Sequence, residues 1–82
     1  MLQAQVRPTT LWVQAGAFAN YDNAYRLSAR LQRYGKTQVA PVPAGAQQLY
    51  RVRVGPVQSV AEADRLLAEV AADAPGARIV VD

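Results

Sequence analysis

The residues with chemistry to offer are few, and they fall into two short alternating sets. Trp12, Gln14 and Gly16 are spaced two apart in one segment, and Leu49, Arg51, Arg53 and Gly55 in another. In an extended chain, side chains two apart point to the same face. Each set therefore lines one side of a strand. An indole, an amide that both donates and accepts, and two guanidinium groups suit a polyhydroxylated or anionic ligand. The 82 residues contain neither Cys nor His, so they offer no thiolate and no imidazole. Thiolate nucleophiles, nucleophile–His pairs and zinc-type metal sites are excluded with them. Of the carboxylates, Glu62, Asp64, Glu69 and Asp73 fall on or beside one predicted helix, and Asp22 stands apart. No pair faces across a cleft as glycoside hydrolysis requires. The chain reads as a non-catalytic binding domain, with no cofactor and no metal.

The elements that must position these residues follow from an internal repeat. Displaced by 39 positions, the chain aligns Val13 with Val52, Gly16 with Gly55, Ala24 with Ala63, Arg26 with Arg65, Leu27 with Leu66 and Ala29 with Ala68. Asn20 aligns with Ser59 and Asn23 with Glu62, the N-cap and N3 positions of two helices. Ala24, Leu27, Leu31 and Tyr34 give the first helix its apolar stripe, with Gly35 closing it. Ala63, Leu66, Leu67, Val70 and Ala71 give the second, and Ala74-Pro75-Gly76 stops it. Strands are predicted over about 10–17, 37–43, 48–55 and 77–81, bounded by Gly or Pro. The order is β-α-β-β-α-β. Two right-handed crossovers then make an α+β split βαβ sandwich, a four-stranded antiparallel sheet with both helices on one face, the ferredoxin and RNP-like topology. Pro41 and Pro43 remove two donors from one side of the second strand, which places it at an edge.

Alternation predicts which side of the sheet is open. Leu11, Val13, Ala15 and Ala17 form the apolar set under the helices, with Tyr50, Val52 and Val54 beside them. Trp12, Gln14 and Gly16, with Leu49, Arg51, Arg53 and Gly55, line the uncovered face. Phe18 leaves the strand just before the helix and reads as core. The paired glycines predict bare backbone that a flat ligand approaches closely. Charge agrees with a ligand of negative character. Residues 1–58 hold seven Lys or Arg against Asp22 alone, whereas residues 59–82 hold Arg65 and Arg78 against five carboxylates. Residues 1–9 read as a linker or tail and 10–82 as the domain. The start carries no targeting signal, which fits either a cytosolic protein or the excised module of an exported one.

Leu11-Trp12-Val13-Gln14-Ala15-Gly16-Ala17-Phe18, followed by Asn20, Asn23-Ala24 and the Leu27/Leu31 helix, resembles the opening of SPOR domains. Tyr50-Arg51-Val52-Arg53-Val54-Gly55-Pro56-Val57, then Ala63 and Leu66, resembles their second half. The resemblance covers residues 10–82. It implies the same βαββαβ fold and binding of bacterial peptidoglycan glycan strands (GlcNAc-MurNAc) that lack stem peptides. It further implies a periplasmic place at the division septum, a monomeric module without nucleic-acid or membrane contact, and a cell-wall parent such as a lytic transglycosylase. Family binding positions fall on Gln14, Ala17 and Leu49. Some members carry a hydroxyl residue where Ala17 stands and an aromatic where Leu49 stands, so Trp12 is the ring left for stacking. Removing a stem peptide exposes the lactyl carboxylate of MurNAc, which Arg51 or Arg53 would pair with; the rival account is steric, an intact peptide not fitting against Gly16, Gly55 and the loop at Ala19-Asn20. An RNA-binding RRM-like module shares the topology, but Tyr50, the one aromatic of the third strand, falls on the helix side. A regulatory small-molecule-binding domain, usually dimeric, is the other alternative.

Overall fold

The computed structural model describes residues 10–81. The predicted tail over residues 1–9 lies outside them. In chain order the elements are β1 (Leu11–Phe18), α1 (Tyr21–Leu31), a 3-10 turn (Gln32–Tyr34), β2 (Thr37–Ala44), β3 (Gln47–Val57), α2 (Val60–Val70) and β4 (Arg78–Val81). The four strands form one sheet in the order β2-β3-β1-β4, every pair antiparallel. This is the α+β split βαβ sandwich that the element order predicts. Pro41 and Pro43 lie in β2 at the sheet edge, where the missing N–H groups cost no ladder bond on the solvent side. Among the described residues, no helix is long and apolar enough to cross a membrane.

Local chemistry starts and stops each helix. The Asn20 side chain accepts from the Asp22 and Asn23 amides, and Ser59 Oγ accepts from the Glu62 amide at 3.1 Å. Each cap satisfies amides that have no partner within the first turn. Past Leu31 the first helix tightens into the 3-10 turn, and the Gly35 amide closes it on the Gln32 carbonyl. After α2, the Asp73 and Ala74 amides fold back on the Val70 carbonyl.

The core lies between the sheet and the helices. Val13, Leu31, Val52, Val54 and Val70 are its largest fully buried side chains, with Ala24, Leu27, Ala63 and Leu66 packed among them. α1 rests mainly on β3 and β2, and α2 on β1 and β4. That division makes the 39-residue repeat a pseudo-two-fold axis through the sheet. Gln14 and Arg53, repeat partners, stand directly opposite each other in the β1–β3 pair, where the axis passes. Tyr34 and Asp73, also 39 apart, are joined on the helix side by a 2.9 Å bond from the Tyr34 hydroxyl to the carboxylate.

Candidate functional site

Residues directly opposite in an antiparallel pair share a face. Gln38, Arg53, Gln14 and Arg78 stand opposite one another in turn, from β2 across β3 and β1 to β4. The chain neighbours of Arg53, Val52 and Val54, are core. This polar row therefore crosses the side of the sheet that the helices leave open. On one flank, Trp12 of β1 opposes Val80 of β4. On the other, Ala17, Arg51 and Ala40 make a second row, and Leu49 and Val42 pair beyond it.

The two central arginines occupy different environments. Arg53 is only 6% exposed although it lies on the open side. The Trp12 ring centroid sits 4.1 Å from its Cζ, and its Nη2 donates to Gln38 Oε1 at 2.5 Å. The indole is the more exposed of the two, so it roofs the guanidinium. Such a cation–π contact contributes about 0.5–2 kcal/mol, the upper end where the cation is desolvated. Arg51 is half-buried between two alanines, so no side chain longer than a methyl adjoins it in its row. Its Nε, like Trp12 Nε1, is a buried donor with no acceptor among the described residues.

One strand departs from simple alternation, and the departure corrects the expected faces. Between Gln14↔Arg53 and Gly16↔Val52, β1 advances two residues while β3 advances one. The extra residue is a β-bulge at Ala15, and a one-residue slip exchanges faces for everything after it. Gly16, expected on the open face, lies opposite the core residue Val52; a Cβ there would sit 3.3 Å from the Phe18 ring and 3.7 Å from Leu27. Ala17, expected under the helices, is exposed opposite Arg51. Phe18 packs against the core beside Tyr50, as its place before the helix suggests. Gly55 sits in the matching irregularity of β3 with φ 135°, a left-handed conformation that favours glycine. A Cβ on it would lie 3.5 Å from the Trp12 ring and 3.4 Å from the Leu11 carbonyl oxygen. With the Val57 amide nitrogen at 3.2 Å as well, Gly55 is approached by the chain's own backbone and by Trp12, and the expected strip of bare glycine backbone is not formed.

The structure brings Trp12, Gln14, Ala17, Leu49, Arg51 and Arg53 onto one face. It keeps Gly16 off that face, and commits the Asn20 side-chain oxygen Oδ1 to capping α1. Sequence reasoning missed Gln38 and Arg78, since only cross-strand register shows that they extend the Gln14–Arg53 pair to both edges. The face carries Arg51, Arg53 and Arg78, whereas the carboxylates among the described residues lie in the first turn of α1, on α2 or just after it. No group of three or more metal-ligating side chains occurs among the described residues.

A sheet backed by two helices, with a basic and chemically varied open face, defines a small βαββαβ binding module. The SPOR domain family model matches residues 8–80. The chain belongs to the SPOR domain family. Among solved structures, it is similar to the RlpA SPOR domain from Pseudomonas aeruginosa, at 32% identity and a TM-score of 0.72, over 88% of this chain and 96% of that one. It is also similar to the peptidoglycan-binding domain of the B. subtilis cell wall lytic enzyme CwlC, at 27% identity and a TM-score of 0.69, over 99% of each chain. No curated protein matches it.

Proposed function

We propose that this domain binds peptidoglycan, and within it the glycan strands from which stem peptides have been removed. Its role is then to hold a parent protein at the division septum, outside the cytoplasmic membrane; an RlpA-like lytic transglycosylase is the parent proposed. Membership of the SPOR family and likeness to the CwlC peptidoglycan-binding domain support the ligand. The observation that carries the finer reading is Arg51, a cation flanked by Ala17 and Ala40 next to the polar row. A strand without stem peptides presents a free lactyl carboxylate on each MurNAc, and an intact stem converts that group to an amide. Arg51 distinguishes the two by charge, through a charge-assisted hydrogen bond of about 1.5–3 kcal/mol.

The remaining residues take parts that fit the same ligand. Gln14 and Arg78 offer hydrogen bonds to hydroxyl and N-acetyl groups. The outer face of Trp12, with the Arg53 guanidinium behind it, is the surface for the weakly apolar face of a sugar ring. Arg53 supports that ring and does not itself meet the carboxylate. Gly55 leaves room for it. Leu49 contributes apolar contact at the opposite end.

Sedimentation with purified sacculi, untreated and amidase-treated, tests the proposal. Enrichment on the amidase-treated wall is expected. Equal or absent sedimentation overturns it.

A further inference from the structure

A glycan strand has a direction, and the open face has a pseudo-two-fold axis perpendicular to it. The axis passes through the Gln14–Arg53 pair, and the rotation carries β1 onto β3 and α1 onto α2. It also turns any strand lying across the face end for end. A face with true two-fold symmetry would hold the strand equally well in both directions, because each complex would be the image of the other. Direction is therefore read only by repeat-related positions whose side chains differ.

The largest such difference on this face is Trp12 against Arg51, which are 39 positions apart and lie on opposite flanks of the polar row. One flank offers an indole face beside Val80, and the other a guanidinium between Ala17 and Ala40. Each also holds a buried donor with no acceptor among the described residues, Nε1 of Trp12 and Nε of Arg51. Trp12 and the Ala17 position opposite Arg51 are five residues apart on β1, roughly 15 Å at strand rise. That backbone spacing suits successive sugars of one strand, with the carboxylate-bearing sugar at Arg51. Reversing the strand sets that carboxylate against the indole flank, and turns the asymmetric substituents of every ring to the other side. We propose that this domain takes a glycan strand in one direction only, and that Trp12 and Arg51 are the specificity-determining pair. The proposal rests on the glycan-binding reading above.

The experiment uses a peptide-free GlcNAc-MurNAc oligosaccharide carrying a nitroxide at its reducing end, and the 15N-labelled domain. Paramagnetic broadening of amide signals reports where that end lies. In the natural sequence the broadening is expected on one flank alone, either around Trp12 and Val80 or around Ala17, Arg51 and Leu49. Arg51→Trp gives both flanks an indole and is expected to spread the broadening to both; Arg51→Tyr serves if the first variant loses its dispersed spectrum. Broadening on both flanks of the natural domain overturns the inference and leaves glycan binding standing. One-sided broadening that survives both substitutions overturns the assignment to Trp12 and Arg51. Absence of any shift or broadening in the natural domain, at saturating oligosaccharide, overturns the glycan-binding reading and this inference with it.

Discussion

Arg51 and Arg53 differ by one turn of strand alternation and share a face, yet their side chains serve different ends. Arg53 is shut under the only tryptophan of the chain and bonded to Gln38, whereas Arg51 is bordered by alanines. Paired substitutions separate the roles. Arg51→Gln is expected to weaken binding to amidase-treated sacculi by about 10- to 150-fold, the loss of one charge-assisted bond, with little change in thermal stability. Arg53→Gln is expected to destabilise the fold by about 1–2 kcal/mol, through the lost cation–π contact. It should also shift Trp12 emission to the red as the ring loses its support, and a single tryptophan makes that emission a local reading. Equal binding losses without an emission change would mean that both arginines contact the ligand directly. The residue types at the site were legible in the sequence. The burial of Arg53 was not, because it depends on a ring two strand positions away in a different strand folding across it.

At the scale of elements, caps and edges follow local rules while the face of a strand does not. Asn20 and Ser59 cap as their spacing predicts, and the prolines of β2 mark the edge. The bulge at Ala15 left no mark in the alternation, since Ala15, Gly16 and Ala17 are all small enough for either face. Gly16→Val tests its placement. The added side chain meets the Phe18 ring and Leu27, so an overpacking cost of about 1–3 kcal/mol is expected in thermal or denaturant unfolding. Binding measured well below the melting point should be unchanged, which a glycine facing the ligand would not allow. The helix ends offer a second test. The hydrogen bond to Asp73, with lesser help from desolvation and the carboxylate charge, raises the Tyr34 phenol above its ordinary value of 10, against a lowering by Arg33. A raised folded-state value stabilises the protein below the unfolded value and loses that contribution as pH climbs through the folded one. Ultraviolet titration should therefore show Tyr34 ionising above pH 10, and Asp73→Asn should bring it down.

For the whole molecule, the carboxylates among the described residues are kept off the open face. The open face holds three arginines, and α2 with the turn after it holds Glu62, Asp64, Glu69 and Asp73. With charged contacts at Arg51 and Arg78 and uncharged ones at Gln14 and Trp12, binding should weaken but persist as salt rises from about 0.1 to 1 M, where the screening length falls from about 10 to 3 Å. Complete loss of sedimentation over that range would point to charge alone and leave no role for Gln14 or Trp12. The amino-acid sequence by itself determined the element order, the repeat, the helix caps and the edge strand. Those are properties of composition and of residues near one another along the chain. Tertiary structure decided the rest: that Ala17 and not Gly16 faces outward, that Gln38 and Arg78 complete the polar row, and that Arg53 is roofed while Arg51 is not. Each of these depends on which residues lie opposite one another across strands. A one-residue bulge changes that pairing without changing the hydrophobic pattern from which strands are read.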